Sequence, residues 1–413
     1  MTQTHRAFER TPLGYVASYP SDAVEIRIER VRRMREDELS GEVTISCALP
    51  GIGNEDGHLH GPARLNMSGT QTRSTLAKYL AGRTNGARIN WQEIIEWTCQ
   101  QTLLAERTGD PVVCLRDIPE PLTPDALLPP LILGRSDTIF FGDGGAAKSY
   151  ISLAAAASLH SGEPLLGITP TVTQRVLFLD WEWDGWEHRQ RLKRLWPGDV
   201  LPDLLYRRCT GPLSGQVDNL RAQIAGEGVT FIVIDSVGYA CDGPPEEARS
   251  ALAFFDAVHS LNVGSLMTAH VNRSGDTDRP FGSTYFHNSA RLTWYVKAQE
   301  RGTDVLTVGL FNRKSSGGPK ASPVGYEVSF TDDRTIITRR DPIDVPELAE
   351  SLPARIRIAG ALREGALTLV DLSEALDVPP DTVRKSLLRG EGHQFTRVTG
   401  SDGVTRWGLI YTS

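Results

Sequence analysis

The segment "FFGDGGAAKSY" (residues 140–150) constrains the fold of this chain more than any other. The apolar run DTIFFG leads into a glycine-rich turn, and the alanine-rich run SYISLAAAASLHSG follows it. At such a turn the backbone N–H groups converge, and a helix N-terminus adds its positive dipole end, so strand, loop and helix together suit a phosphate group. The residues read Gly142, Asp143, Gly144, Gly145, Ala146, Ala147, Lys148, Ser149, with Tyr150 next. That is the G-x-x-x-x-G-K-[ST] pattern with alanine in place of its second glycine. Alanine disfavours positive φ, so Ala147 fits if it has already entered the helix with negative φ. Lys148 then supplies a cation at the β and γ phosphates of a nucleotide, and Ser149 a hydroxyl for Mg2+.

Apolar runs of strand length recur after the loop: RVLFLDWE, TFIVIDSV and VGSLMTAHV. Between the last two lies EEARSALAFFDAVHSLN, which has helical spacing. Strands that alternate with helices predict an α/β core, a mostly parallel sheet covered on both faces. Ligands of such sheets sit at the carboxyl ends of the strands. The polar residues Lys148, Glu182, Asp235 and His270 all fall there. Asp235 ends four apolar residues, as a carboxylate that holds Mg2+ through Ser149 and water would. Glu182 sits in RVLFLDWEWD, where a carboxylate beside a γ-phosphate can orient and deprotonate water. The alternative is a solvated acidic loop whose tryptophans cap the core, and that reading is preferred for Asp180 and Asp184.

The 413 residues carry a net charge of −7, so any nucleic-acid contact must come from local patches. Five scattered cysteines form no C-x-x-C pair, which fits reduced thiols. The N-terminus MTQTHRAFERTP lacks an apolar core segment and no long apolar run occurs, so a cytoplasmic chain with no membrane contact is expected. Proline-rich IPEPLTPDALLPPL (118–131) reads as a linker or an extended lead-in, and a second break falls at RRDPIDVPELAESLP (339–353). The expected division is an accessory domain over 1–117, a core over 118–345 and a small domain over 353–413.

Taken in order, GDGGAAKS, VLFLDWE, FIVIDSV, MTAHVNRSG, PFGSTYFHNSAR and VGLFNRKSSG resemble the motifs of RecA-type ATPases. More narrowly, they are similar to the RepA-like hexameric helicases of plasmids, phages and integrated elements, with the DnaB-like helicases more distant. The resemblance spans about 118–340. It implies a RecA-like core and ATP with Mg2+ as ligands, held by the loop residues Gly142 to Tyr150 and by Asp235. It implies Glu182 as catalytic base and His270 as the residue that senses the γ-phosphate. Read by itself, His270 is equally a strand-end histidine bonded to backbone. Arg313 or Lys314 would be the finger inserted into a neighbouring subunit's site. In such proteins the loop over 272–294 faces a central channel; here it carries Arg273, Arg279, Tyr285, Phe286, His287 and Arg291. Charge with aromatic rings suits single-stranded DNA; the other reading is a surface loop before a helix that packs Leu292 and Trp294. The basic run 312–320 equally suits DNA phosphates. The implied partners are copies of the chain, in a hexameric ring or filament, DNA, and replication proteins.

Residues 353–413 read as three helices and a two-stranded ribbon with the turn GSDG, which resembles a winged helix-turn-helix. Its third helix offers Thr382, Arg384, Lys385 and Arg389, and its wing Arg397 and Arg406. Basic and acidic residues nearly cancel there, so double-stranded DNA and protein docking remain equal readings. The N-terminal part shows the strand EVTISCALP and two helices, the second capped by Asn90. Its His58 and His60 have no third ligand in sequence, so a surface loop is preferred to a metal site. The functions compatible with all this are an ATP-driven motor or clamp on DNA, a loader or scaffold that does not unwind, and a winged-helix regulator with an ATP switch.

Overall fold

The computed structural model describes residues 6–35, 38–84, 87–271 and 279–410. Two compact units divide them: residues up to 121 together with 216–228, and residues 122–215 together with 229 onward.

The first unit is a five-stranded antiparallel meander, β1 (Ala7–Thr11), β2 (Gly14–Tyr19), β3 (Val24–Arg35), β4 (Glu38–Cys47) and β5 (His58–Asn66), in sequential order. Burial alternates along β2 and β4, as expected when one face is packed and one is wet. Helices α1 (Thr70–Arg83) and α2 (Trp91–Thr108) cover that face, with Ile26, Ile45, Leu80, Trp91 and Ile94 in the core. The Asn90 side chain caps α2 by accepting from the Glu93 N–H. Only one of the five strands is legible in the sequence. His58 and His60 lie on β5 instead of a loop, and His60 packs edge-on against Tyr79.

The second unit opens with a small pairing of β6 (Ala126–Leu128) and β7 (Ile132–Leu133). The end of the proline-rich stretch is a lead-in and not a free linker: Leu127, Leu128 and Leu131 are fully buried, because apolar burial draws it into the core. Next come β8 (Asp137–Gly142), α3 (Lys148–Ser161), β9 (Val176–Asp180), α4 (Gly185–Leu195) and β10 (Leu205–Arg208). Helix α5 (Val217–Glu227) belongs to the first unit. The core continues with β11 (Phe231–Asp235), α6 (Val237–Ala240), α7 (Ala248–Ser260), β12 (Gly264–His270) and α8 (Thr284–Ser289). Strands β13 (Leu292–Arg301), β14 (Val305–Ser315), β15 (Val324–Phe330) and β16 (Thr335–Arg340) complete a nine-stranded sheet.

Its order is β10-β9-β11-β12-β8-β13-β14-β15-β16. The pairs up to β8–β13 are parallel and the last three antiparallel. The fold of the second unit is therefore α/β with a mainly parallel core, and that of the first is a smaller α+β arrangement on an antiparallel sheet. Strands β8, β9 and β11 are buried at every position, because a central parallel strand is covered on both faces and needs an unbroken apolar run. Leu292 and Trp294 do not lie on a helix. Both are buried on β13, where the β-branched and aromatic run LTWYV favours a strand.

The chain ends in α9 (Pro346–Ala349), α10 (Ala354–Ala361), α11 (Leu369–Leu376), α12 (Pro380–Gly390) and the antiparallel pair β17 (Phe395–Thr399) and β18 (Thr405–Leu409). Ile358, Leu372, Val383, Leu387, Phe395 and Trp407 form one small core there. Thr368 caps α11 in a reciprocal box with Asp371.

Candidate nucleotide-binding site

The site grows from β8. A Cβ on Gly142 would meet the Val296 carbonyl oxygen of β13 at 2.2 Å, so only glycine lets the two strands pair where the loop begins. Gly145 has φ +79°, which glycine adopts freely. Ala147 departs from expectation. It has φ +58° and ψ 17°, in the left-handed region, as the residue that caps α3. The loop has to turn sharply into the helix there, and closure of the loop overrides alanine's preference at a cost of about 1–2 kcal/mol.

Lys148, the first residue of α3, is buried, and its Nζ donates to the carbonyls of Gly142 (2.9 Å) and Asp143 (2.7 Å). Burial lowers its pKa, while Asp235, Glu182 and Asp143 oppose that shift. Asp235, at the end of β11, is almost wholly buried. Burial raises its pKa, and the Thr268 and Ser149 hydroxyls pull the other way. Its Oδ1 accepts from Thr268, but its buried Oδ2 has no hydrogen-bond partner. A buried carboxylate oxygen without a partner is costly unless a cation fills the place. With the Ser149 hydroxyl in the same cleft and acting on this carboxyl, the donor set fits a magnesium ion, which is commonly held by one or two carboxylates plus substrate phosphates.

Glu182 lies just beyond β9. Its Oε1 accepts from Ser236 and stands 3.8 Å from His270 Nε2. The neighbouring His270, then Ser236 and Lys148, hold its carboxyl below the usual glutamate value against the effect of burial. Glu182 is therefore ionised at neutral pH and able to accept a proton. His270, half exposed at the end of β12, belongs to this cluster instead of being satisfied only by backbone.

These residues share one cleft of about 330 Å3, lined by Gly144 to Tyr150, Glu182, Asp235, Thr268 and His270 and by Trp183, Arg191, Leu306 and Phe330. Residues 105–276 match the family model of the AAA domain. The matched stretch contains Lys148, Ser149, Glu182, Asp235 and His270 and stops short of Arg313. Among solved structures, a KaiC-like protein of the hyperthermophilic archaeon Pyrococcus horikoshii is similar at 11% identity and a TM-score of 0.39, covering 52% of this chain and 98% of that one. No curated protein matches.

Four residues of this cleft escape a reading of the sequence. Phe330 packs edge-on against Tyr150 at 5.5 Å, and the Arg191 guanidinium lies 5.0 Å over Tyr150 and 4.6 Å over Trp183. This stack of rings and one cation borders the loop, yet its members come from four separate elements, so no local pattern announces it. Thr268 has a signal: it stands two residues before His270 on one strand, hence on the same face.

The remaining predicted residues lie apart from the cleft. Lys314 Nζ donates to the carbonyls of His287 (2.9 Å), Asn288 (2.6 Å) and Ala290 (2.7 Å). It closes the C-terminus of α8, and both its burial and the nearby Arg291 lower its pKa. The Arg313 guanidinium lies over the rings of Tyr295 (5.4 Å) and Phe311 (5.9 Å). Of the suggested channel residues, Phe286 is buried against Phe254 and Phe255 and offers no ring to a ligand. Tyr285, Arg279 and Arg291 are exposed, and Arg273 lies outside the described residues. No helix among the described residues is long and apolar enough to cross a membrane.

Proposed function

We propose that this chain is a P-loop ATPase that works on DNA as an oligomer. The observation that carries the reading is the convergence of Lys148, Ser149, Asp235, Glu182 and His270 on one cleft at the carboxyl ends of parallel strands. In this reading the loop N–H groups and Lys148 hold the phosphates of ATP. Ser149 and Asp235 hold Mg2+, which supplies charge neutralisation at the phosphates when bound. Glu182, already ionised, orients the attacking water and takes its proton. His270, in contact with Glu182 and followed directly by the segment that precedes Arg279 and Tyr285, relays the nucleotide state to that segment. Arg313, whose guanidinium lies over Tyr295 and Phe311, is the finger proposed for a neighbouring copy, and Lys314 serves three carbonyls of its own chain.

The winged-helix reading of residues 353–413 rests on three helices, a ribbon and one small core. The charge is uneven. Arg397 pairs with Glu391 and Arg406 with Asp402 in the ribbon, whereas Arg384, Lys385 and Arg389 on α12 are exposed. We place double-stranded DNA against α12 and not against the ribbon. The position of the Glu182 carboxylate in one cleft with Lys148, Ser149 and Asp235 favours a hydrolysing enzyme over a passive ATP switch. Replicative unwinding in a mobile element is the finer proposal, and loading or scaffolding without unwinding its competitor; a strand-displacement assay separates them.

The deciding experiment is ATP turnover with and without single-stranded DNA, read beside particle mass by mass photometry. Turnover that rises with DNA and with assembly is the expected result. A protein that binds ATP but hydrolyses none under either condition would refute the reading.

A further inference from the structure

Asp180 ends β9 two residues before Glu182, and its side chain is completely buried. Each of its oxygens is engaged. Oδ1 accepts from the backbone N–H of Glu182 at 2.8 Å and of Trp183 at 3.0 Å. Oδ2 accepts from the Tyr206 hydroxyl at 2.9 Å, with His188 Nε2 at 3.4 Å and Arg208 Nη1 at 3.7 Å. The following peptide is fastened too: Trp181 N–H donates to the Asp235 carbonyl at 2.7 Å. Asp180 does not line the cleft, but Glu182 and Trp183 do.

A carboxylate enclosed by donors on both oxygens, with no open face, cannot reach a water molecule. It can hold a turn. A two-pronged acceptor at the end of a strand fixes the next two N–H groups, and through them where the Glu182 side chain leaves the backbone. Tyr206 of β10 donates to Oδ2, Arg208 of β10 donates to the Asp180 carbonyl at 3.1 Å, and His188 of α4 stands against Oδ2 at 3.4 Å, so the anchor is itself fixed by two neighbouring elements.

We propose that Asp180 is the positioning residue of Glu182: it presents the base to the cleft and takes no proton itself. This rests on the ATPase reading above for its kinetic consequence, but not for its structural one. Supporting residues of this kind commonly change activity by about 10–100-fold.

The test compares Asp180→Ala, Asp180→Asn, Asp180→Glu and Glu182→Gln in the full chain. It measures kcat, the affinity for ATP-γ-S by calorimetry, and amide exchange of the peptide over residues 181–184. Asp180→Ala should lower kcat by about 10–100-fold while the affinity stays within about threefold, and exchange at Glu182 and Trp183 should quicken. Asp180→Asn keeps an oxygen for both N–H groups and should restore most of kcat and slow exchange. Asp180→Glu keeps the charge but displaces the acceptor, so it should behave like alanine; it also stands in if Asp180→Ala does not fold. Combining Asp180→Ala with Glu182→Gln should cost nothing beyond Glu182→Gln alone. Unaltered exchange in both Asp180→Ala and Asp180→Glu, an affinity loss equal to the kcat loss, or a further drop in the double variant would overturn the proposal. If the unaltered protein binds nucleotide without hydrolysing it, the ATPase reading fails, and amide exchange still decides whether Asp180 holds the turn.

Discussion

Ala147 shows how a single residue can carry a cost for its site. Its left-handed backbone should be relieved by Ala147→Gly, a gain of roughly 1–2 kcal/mol less roughly 0.5–1 kcal/mol of added chain entropy. A denaturant midpoint shifted slightly upward, with ATP bound at least as tightly, is expected; a lower midpoint would show that the alanine methyl is needed for packing. Glu182→Gln should retain ATP and slow turnover by about 10²–10⁴-fold, as read in single-turnover assays. The acid side of the same site is equally specific. Glu182 has its pKa held below the ordinary 4.5, so the base is lost only at pH values under that figure. An acid limb in kcat well above it would show that Glu182 is not the base. Asp180, pushed up by burial but pulled down to about 2 by His188 and the two N–H groups, follows the same sign. Its contribution to stability is complete above 3.8, the unfolded value, and fades as pH falls towards about 2.

At the scale of elements, neighbouring cations divide their work. Lys314 closes α8 with three charge-assisted hydrogen bonds. Lys314→Ala should therefore destabilise the fold by about 1.5–3 kcal/mol, seen as a lower denaturation midpoint, whereas Arg313→Ala should lower turnover in assembled protein. The reverse pattern would exchange the two roles. On α12, replacing Arg384, Lys385 and Arg389 together by alanine should weaken duplex binding uniformly across sequences. The slope of log affinity against log salt should fall by about 0.9 for each phosphate that is no longer neutralised. Replacing Arg397 and Arg406, already paired with Glu391 and Asp402, should change that slope little; a larger effect from the ribbon pair would relocate the interface.

For the whole molecule, a site completed by a second copy predicts that turnover rises more than linearly with protein concentration. In the proposed reading Lys148→Ala lacks the phosphate cation and Arg313→Ala the finger, so each alone should be nearly inactive. Mixed, they should recover part of the activity, because some interfaces pair an intact loop with an intact finger, a contribution of about 10³–10⁵ in rate. Mixed particles that form and stay inactive would rule out the shared site.

Much of this molecule is written locally. Strands β8, β9, β11 and β12 are legible because burial on both faces demands unbroken apolar runs, and Lys148, Glu182, Asp235 and His270 because they directly follow those runs. The capped helices α2 and α11 are legible for the same kind of reason. Other features depend on which segments meet. The positive φ of Ala147 follows from closing a loop between two fixed elements. The ring stack of Tyr150, Trp183, Arg191 and Phe330 joins residues far apart in sequence. Lys314 is a helix cap because β14 runs beside the end of α8, and Asp180 an anchor because α4 and β10 enclose it. Hydrophobic periodicity and turn chemistry act over a few neighbours along the chain, so they mark strands, helices and the residues at their ends. A side chain's partner across the fold is set by packing, and only the tertiary structure decides it.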